Sequence, residues 1–563
     1  LPSSIQTIGK NAFLGIRSLT IKGEIQHLPN NSFMNCSSLN KIIFQTETLV
    51  SIGTSSFYGC TSLSEIEFSA SIQKIGENAF QGMKILTVNG NITHLLNNTF
   101  KNCSSLTKLY INSNSLISIG SSAFEGCSSL EEIKLPPSIE IIENNAFLGI
   151  KKLKIYREIS NIPNNSFKNC TSLTQLILNT NNLTLIGSSA FEGCSNLTEI
   201  TIPSTIKTIE ENAFLGITSL TLTSSLSFLP DYSFKNSTSL NKIIFNTSQL
   251  TSIGSFAFEG CSSLTEIEIP KSVNKIGNSL FKGCSSLAHI EIPTTLSFLN
   301  ESTFEGCSSL AEVEIPSSIK SIGNSLFKDC TSLLKVTIPQ SLTILCDSTF
   351  EGCSSLKEIT IPPSIQSIQS SIFKGCTSLE QIVIPPSLTT IGTSAFEGCY
   401  SLQEITMPSS VTSIENNAFI GLKTLVIKGD IQHIPNNSFK NCSSLNKIVF
   451  DTNTLRSIGS SAFEGCSSLI EIKIPSSIQI IQNSIFKGCS SLKEITIPSS
   501  LRAVADSTFE GCSSLTQIMI PSSVTSIGKN AFKGCTSLVE ISIPSSIDIS
   551  NIEFPSNALV QRI

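Results

Sequence analysis

Cysteine is the residue with the greatest chemical potential in this chain of 563 residues, which contains nineteen of them. Thiols at this frequency could form disulfides, hold a metal ion or act as nucleophiles. Eighteen of the nineteen lie three residues after a phenylalanine, and six equivalent positions carry Ile, Met, Leu or Ser instead. A position that accepts aliphatic residues is a packing position, where free cysteine behaves as a small hydrophobic residue.

The spacing of the cysteines also argues against metal binding and against disulfides. No Cys-x-x-Cys pair and no cluster of Cys and His at ligand spacing occurs. Equivalent side chains of stacked repeats point the same way and are about 4.8 Å apart, which is wider than the roughly 3.8 Å between Cβ atoms that a disulfide prefers. We therefore predict buried free thiols, no metal site and no cofactor.

Acidic residues that directly precede Ile, or the equivalent Val, form a second group with chemical potential. On three successive predicted strands such positions carry five glutamates and a histidine, which would form a local acidic patch on one face. The residues of this candidate ligand-contact patch are Glu266, Glu268, His289, Glu291, Glu312 and Glu314. Adjacent carboxylates repel one another, which favours a counter-charge from a basic partner segment or a divalent cation. The alternative is a solvated face that keeps the sheet soluble.

The residues that enzymes use for acid–base and nucleophilic chemistry are scarce or lack the necessary context. The chain has four histidines and no Gly-x-Ser-x-Gly elbow or phosphate-binding glycine loop. A polysaccharide-cleaving solenoid would need acidic or basic residues that interrupt the repeat, whereas the candidate patch follows it. We predict no catalytic residues and a protein that is not an enzyme.

Composition also bears on the class of partner. The net charge of −5, five tyrosines and the absence of tryptophan give little support for nucleic-acid binding. No run of eighteen apolar residues occurs, so we expect no membrane insertion within this chain. A protein ligand is the expected partner.

The element that must position these residues is a short repeat. From Phe13 to Phe532 there are 24 phenylalanines in register, separated by 23 residues thirteen times, by 24 five times and by 20 five times. Such spacing predicts one structural unit stacked on itself. We expect about 24 stacked repeats in a single solenoid over residues 1–546, followed by a degenerate C-terminal end at 547–563. Intervals of 20, 24 and 23 recur in that order as a 67-residue superunit.

One typical repeat shows the expected elements. Leu287, Ile290 and Ile292 alternate with polar residues, which predicts a short strand with one buried face. Pro293 ends that strand because it has no N–H to donate. A second apolar pair predicts a brief extended segment on the opposite side of the coil, and stacked coils would form a parallel sheet.

The phenylalanine itself is expected on a different kind of element. A polar turn such as Gly323-Asn324-Ser325 precedes Leu326-Phe327, and its Asn or Ser could cap a single helical or 3-10 turn. The predicted fold class is therefore an α/β repeat solenoid, with strands on one face and short helical turns on the other.

The combined pattern resembles a known family. Cys261-Ser-Ser-Leu264-Thr-Glu-Ile267-Glu-Ile269-Pro270, followed by Ile276-Gly277 and Phe281, is similar to the leucine-rich repeats of the BspA-like (Treponema-type) family. The resemblance covers essentially the whole chain and implies an arc or horseshoe with one continuous parallel sheet. It further implies a surface protein of the kind found in oral bacteria and parasitic protists, where members are implicated in adhesion and act as antigens. The 20- and 24-residue units depart from the family's uniform repeat.

Together these observations predict a non-enzymatic protein-binding solenoid. The resemblance implies a cell-surface or secreted adhesin or antigen that contacts host or matrix proteins. Because the repeat alone encodes no cellular address, an intracellular, cytoplasmic scaffold for protein–protein interaction is the alternative.

Overall fold

The computed structural model describes residues 4, 8–9, 12–68, 71–90, 92–136, 138–156, 159–179, 181–224, 226–429 and 431–563. The start of the first predicted repeat, residues 1–3, lies outside this part of the chain. The molecule divides into two compact units, Leu1–Leu287 and Ala288–Ile563. Each unit is a stack of coils with three sides, which we name the strand face, the back face and the turn edge.

The strand face contains the first strand of each coil. In the first unit its strands are Ser18–Lys22, Lys41–Gln45, Glu65–Glu67, Ile85–Asn89, Lys108–Asn112, Glu132–Lys134, Lys152–Tyr156, Gln175–Asn179, Glu199–Ile202, Ser219–Ser224, Lys242–Asn246 and Glu266–Ile267. In the second unit they are His289–Ile290, Glu312–Glu314, Lys335–Thr337, Glu358–Thr360, Gln381–Val383, Glu404–Thr406, Thr424–Lys428, Lys447–Asp451, Glu471–Lys473, Glu494–Thr496, Gln517–Met519, Glu540–Ile543 and Leu559–Arg562. The prediction of one short strand in each coil is confirmed.

The back face contains a second strand of two residues, at the position of the second apolar pair. In the first unit its strands are His27–Leu28, Ser51–Ile52, Lys74–Ile75, His94–Leu95, Ser118–Ile119, Ile141–Ile142, Asn161–Ile162, Leu185–Ile186, Thr208–Ile209, Phe228–Leu229, Ser252–Ile253 and Lys275–Ile276. In the second unit they are Phe298–Leu299, Ser321–Ile322, Ser367–Ile368, Thr390–Ile391, Ser413–Ile414, His433–Ile434, Ser457–Ile458, Ile480–Ile481, Ala503–Val504 and Ser526–Ile527. The predicted extended segment opposite the first strand is therefore present.

Every strand pairing given by the structure within a unit is parallel, as expected for stacked coils. Lys41 lies opposite Glu65 and Ile42 opposite Ile66 in the first unit, so equivalent positions of successive coils are in register. The strands of the strand face form a single sheet through the first unit. In the second unit they separate into several sheets, because many strands there have only three residues and offer few ladder hydrogen bonds.

The turn edge carries the repeated phenylalanine and differs from the prediction. The expected helical or 3-10 turns are not found in the described residues, where this segment is a run of hydrogen-bonded turns. The residues two before and two after the phenylalanine are left-handed, as at Ser325 with φ 56° and Asp329 with φ 58° around Phe327. A left-handed residue cannot continue a right-handed helix, so the helical turns of the predicted fold class are not confirmed in the described residues.

The hydrogen bonds of the turn edge explain this conformation. The amides of Ser325, Phe327 and Asp329 donate to carbonyl oxygens of the next coil at 2.7 to 2.9 Å. The amides between them close turns within the coil, since the Cys330 amide donates to the Phe327 carbonyl oxygen at 3.1 Å. A helix would direct the same amides back into their own coil, and the adjacent coil would lose its partners.

The core of each unit is a column of phenylalanine rings. Phe33 and Phe57 stack with ring centroids 5.2 Å apart and planes 2° apart. In the second unit Phe327 and Phe350 stack at 5.8 Å and 8°, and these side chains are fully buried. Because each ring is covered by the rings of its neighbours, one coil alone leaves its core exposed.

The C-terminal segment forms a further layer of this stack. The strand Leu559–Arg562 pairs in parallel with Glu540–Ile543. Phe554 stacks on Phe532 with ring centroids 5.9 Å apart, and the Arg562 guanidinium donates to the carbonyl oxygens of Ser545 and Ile547 at 2.7 Å. These contacts cover the coil that contains Phe532.

Replacement of one ring in the column should destabilise the second unit strongly. We expect Phe350→Ala to lower the free energy of unfolding by about 3–5 kcal/mol, because it leaves a cavity between two stacked rings. Leu334→Ala is the matched control, since Leu334 is 48% exposed and should change stability by less than about 0.5 kcal/mol. Urea unfolding followed by circular dichroism measures both, and equal small effects would contradict the stacked core.

Candidate ligand-binding surface

The exposed side chains of the strand face form ladders in which charges of opposite sign meet. Lys41 and Glu65, one coil apart, form an ion pair at 2.8 Å. The other pairs on this face are Lys108–Glu132, Lys242–Glu266, Lys428–Glu404 and Lys447–Glu471, at 2.6 to 3.0 Å. Exposed pairs of this kind contribute little stability, but they neutralise the face wherever they occur.

The predicted patch is divided between the two units, and Glu266 and Glu268 belong to the first. The Glu266 carboxylate accepts a hydrogen bond from Lys242 Nζ at 2.9 Å, and this bond together with the charge of Lys242 lowers the pKa of Glu266. Glu268 is exposed and has no ion pair within the described residues. Glu266 is therefore already neutralised by its own chain.

The other four residues of the predicted patch lie in the second unit, and the structure brings them together. His289, Glu291, Glu312 and Glu314 are exposed and line one shallow depression of the strand face. Lys335 also lines it and lies opposite Glu312 in the parallel register. Among the described residues, no Lys or Arg nitrogen lies within 4 Å of these three carboxylates.

The structure gives no support to the divalent-cation interpretation of the patch. Within the described part of the chain, no group of three or more His, Cys, Asp or Glu side chains is arranged to hold a metal ion. The four residues of the second unit project as separate side chains from adjacent strands.

Buried, free cysteines occupy the core slot, as predicted. All nineteen are free, and all except Cys346 are buried. Most of the slot thiols donate to the phenylalanine carbonyl oxygen of the preceding coil, as Cys330 does to Phe304 at 3.1 Å. Burial raises the pKa of Cys330, Cys376 and Cys535 to about 12, which keeps the thiols protonated and unreactive near neutral pH.

Three of the four histidines have a structural role. His27, His94 and His433 occupy one slot of the back face, and each Nδ1 is hydrogen-bonded to a serine hydroxyl of the next coil at 2.6 to 2.9 Å. They are separated by several coils and do not converge. This arrangement follows from duplication of the superunit.

Sequence reasoning missed an exposed aromatic cluster on the turn edge of the first unit. Tyr232 and Phe256 occupy the left-handed position two residues before the repeated phenylalanine, where every other described coil has Asn or Ser. The sequence does show this cluster as a departure from the repeat, because aromatic residues replace Asn or Ser at one slot. It could be interpreted only once that slot was known to lie at the surface.

A search of the described residues for membrane-spanning helices finds none that is long and apolar enough.

Comparisons with known proteins agree with this architecture. A family model described as the BspA-type leucine-rich repeat region, in six copies, matches residues 1–107, 93–220, 215–333, 299–426 and 432–559. No curated protein matches the chain. A leucine-rich repeat protein from Bacteroides ovatus is 26% identical over 68% of this chain and 88% of its own, with a TM-score of 0.43.

A second solved structure is a leucine-rich cell surface protein from Faecalibacterium prausnitzii. It is 24% identical over 72% of this chain and 84% of its own, with a TM-score of 0.23. Both TM-scores are below 0.5, so neither likeness supports a statement about function.

The raised thiol pKa values predict a specific loss of stability at alkaline pH. An unfolded thiol has a pKa of about 8.5, so between that pH and about 12 the unfolded chain loses protons that the folded chain retains. The stabilisation is complete below about pH 8.5 and is lost as pH rises, by about 2 kcal/mol for each such thiol at pH 10.

The measurement is urea unfolding at pH 7.5, 9 and 10 for the wild type and for Cys330→Ser/Cys376→Ser/Cys535→Ser. Serine does not titrate in this range and already occupies the slot at Ser237. We expect the variant to lose less stability between pH 7.5 and 10 than the wild type does. The same pH dependence in both proteins would contradict buried, protonated thiols.

Proposed function

The chain belongs to the BspA-type leucine-rich repeat family, and we propose that it is a non-enzymatic protein-binding solenoid displayed at the cell surface. There it would serve as an adhesin or antigen that contacts host or matrix proteins. Protein binding follows the general use of leucine-rich repeats, and the surface location follows from the family resemblance. The stacked strands supply a rigid face on which exposed side chains keep fixed spacings.

The observation that carries this proposal is the contrast between paired and unpaired carboxylates on the strand face. Glu65, Glu132 and Glu471 each have a lysine of an adjacent coil within 3.0 Å. Glu312, which occupies the equivalent strand position, has no such partner among the described residues, and neither do Glu291 and Glu314 at the next outward position of their coils. Carboxylates left unneutralised on a rigid face favour a positively charged partner.

The chemistry of the second-unit depression defines the expected ligand. Its three glutamates outnumber its single lysine, Lys335, so the local charge is negative. The matching ligand is an extended basic segment of a protein whose Lys or Arg side chains follow the spacing of the strands. Glu268 and the ion-paired Glu266 remain part of the proposed ligand-contact patch, on the first unit.

The nature of the potential nucleophiles supports a non-enzymatic role. The slot thiols are buried, and burial raises the pKa of Cys261 to about 12. A catalytic thiol instead needs exposure and a lowered pKa. Apart from His289, the histidines bind serine hydroxyls through their Nδ1 atoms.

The second candidate function is an intracellular scaffold of the same architecture. One observation favours it: nineteen free cysteines are typical of a reducing compartment more than of the cell exterior. Burial weakens this argument, because a thiol inside the core is protected from oxidants in either location.

Labelling of intact cells separates the two candidate locations. A membrane-impermeant amine reagent should modify the protein on intact cells, since lysines such as Lys335 are exposed. Lysed cells provide the positive control and a known cytoplasmic protein the negative one. Protection on intact cells together with labelling after lysis would refute the surface location and favour the scaffold.

Charge reversal tests the patch of the second unit. We expect Glu291→Lys/Glu314→Lys to weaken binding to an immobilised extracellular-matrix extract at least tenfold, because it replaces attraction of a basic segment by repulsion. The matched control is Glu494→Lys/Glu540→Lys, which changes the net charge equally at exposed positions of the same face and unit. Equal loss of binding in both variants would indicate a non-specific charge effect. Unchanged binding in Glu291→Lys/Glu314→Lys would indicate that the patch is only a solvated face.

A further inference from the structure

The 20-residue coils interrupt the back face of the first unit. The strands Thr208–Ile209 and Phe228–Leu229, which flank one such coil, belong to different sheets, and so do Lys74–Ile75 and His94–Leu95 two superunits earlier. A surface depression lies at each of these two interruptions. The superunit therefore creates the same depression more than once, and its lining can be compared position by position.

The later depression has acquired aromatic and acidic residues. The two linings differ at eight of their ten shared positions, and four of these changes introduce an aromatic or acidic residue: Phe228 stands in place of His94, Tyr232 in place of Asn98, Asp231 in place of Asn97 and Glu210 in place of Gly76. In the following coil Phe256 occupies the slot that holds Ser122 in an earlier superunit. We name this later site the aromatic depression, lined by Phe228 and Tyr232.

The aromatic rings of this site are ordered by their contacts and remain partly exposed. Tyr232 stacks on Phe256 with ring centroids 5.2 Å apart and planes 1° apart. Lys235 Nζ lies 5.3 Å and 5.4 Å from the two centroids and forms an ion pair with Glu259 at 2.9 Å. Phe228 and Tyr232 are 37% and 41% exposed, so they offer a rigid apolar surface to a ligand.

The backbone of the cluster is in a conformation that its residues disfavour. Tyr232 has φ 61° and Phe256 has φ 58°, in the left-handed region that bulky side chains rarely adopt. Asn or Ser occupies this position in every other described coil. The aromatic residues therefore replace residues better suited to the backbone, and strain of this kind is typical of binding sites.

The charges around the rings are mainly negative and are held in place. Glu210, Glu211 and Asp231 line the aromatic depression together with one cation, Lys207. The Glu210 carboxylate accepts a hydrogen bond from the Ser188 amide at 2.9 Å, and Asp231 accepts one from the Ser255 amide at 2.7 Å. Glu211 is exposed, and after the hydrogen bond from Lys235 to Glu259 the charge of Glu211 is among the causes that raise the pKa of Lys235.

We propose that the aromatic depression binds an arginine side chain of a protein partner. The planar guanidinium would stack on the exposed rings of Phe228 and Tyr232 and pair with the Glu211 carboxylate. Arginine suits both features, since it stacks on aromatic faces and also forms ion pairs with carboxylates. A neutral sugar could use the same rings but would gain nothing from the surplus of negative charge. The proposal rests on the protein-binding function above and assigns it a second site, on the back face and turn edge.

The test uses the full chain and a fluorescent hexa-arginine peptide, with hexalysine and cellohexaose as comparison probes. The variant Phe228→His/Tyr232→Asn restores the residues that the earlier depression carries, so it is expected to fold with an unchanged or higher thermal midpoint. Tyr400→Ser is the control: Tyr400 is 57% exposed elsewhere, and Ser occupies its slot in other coils, as at Ser354.

We expect the variant to bind hexa-arginine at least fivefold more weakly than the wild type, and Tyr400→Ser to bind as the wild type does. Glu211→Gln should also weaken binding, and hexalysine should bind the wild type more weakly than hexa-arginine does. Unchanged hexa-arginine binding in the variant overturns the proposal. If hexa-arginine and hexalysine bind the wild type with equal affinity, and Phe228→His/Tyr232→Asn weakens both equally, stacking of the guanidinium on the rings is overturned.

Two further outcomes distinguish an arginine site in this depression from a carbohydrate site and from arginine binding at the strand face. Cellohexaose binding that disappears in Phe228→His/Tyr232→Asn, without an effect on hexa-arginine, would make the depression a carbohydrate site and overturn the proposal. Loss of hexa-arginine binding in Glu291→Lys/Glu314→Lys alone would likewise overturn it, while leaving the proposed protein-binding function intact.

Discussion

The structure depends on one constraint: the amides of the turn edge find their partners in the next coil. Phe350 donates to the Ile372 carbonyl oxygen at 2.9 Å, and the equivalent bond recurs along each unit. The left-handed residues before and after the phenylalanine direct every second amide of this segment toward the next coil. Since a buried amide without a partner costs stability, this ladder fixes the register of the coils and stacks the phenylalanine rings.

Exact register has consequences at the surface. It aligns Lys242 with Glu266 and Lys447 with Glu471, so that these opposite charges on the strand face neutralise each other within the chain. The same regularity makes departures conspicuous. At Glu291 and Glu314 the repeat leaves two carboxylates without an ion pair among the described residues. At Tyr232 it places a bulky side chain on a strained, left-handed backbone. On such a scaffold, functional sites are expected at positions whose residues depart from the repeat pattern.

Much of the fold could be predicted because the signals repeat. The strand at Ile290 follows from simple alternation, and acceptance of Ile217 and Leu422 in the cysteine slot indicated a packing position. The helical turn was wrong because Ser or Asn before the phenylalanine is equally typical of a helix cap and of a left-handed residue. Only the inter-coil hydrogen bonds distinguish these two conformations.

The candidate site was predictable in part. Alternation placed Glu312 and Glu314 on one exposed face, and the structure brings them into one depression with His289. The neutralisation of Glu266 depends on contact with a residue 24 positions earlier, which requires knowledge of the register. The aromatic depression depends on the interrupted back face: the 20-residue intervals mark the place in the sequence, but only the strand pairing shows that the back face is interrupted there.

Residue-resolved hydrogen exchange of the second unit tests the inter-coil ladder most directly. If the turn edge is bonded to its neighbour, the amides of Ser325, Phe327 and Asp329 should exchange as slowly as that of Leu334, which donates to Ala311 on the strand face at 2.8 Å. Unprotected exchange at Phe327, with protection retained at Lys328 and Cys330, would contradict the account. It would mean that each turn is held within its own coil.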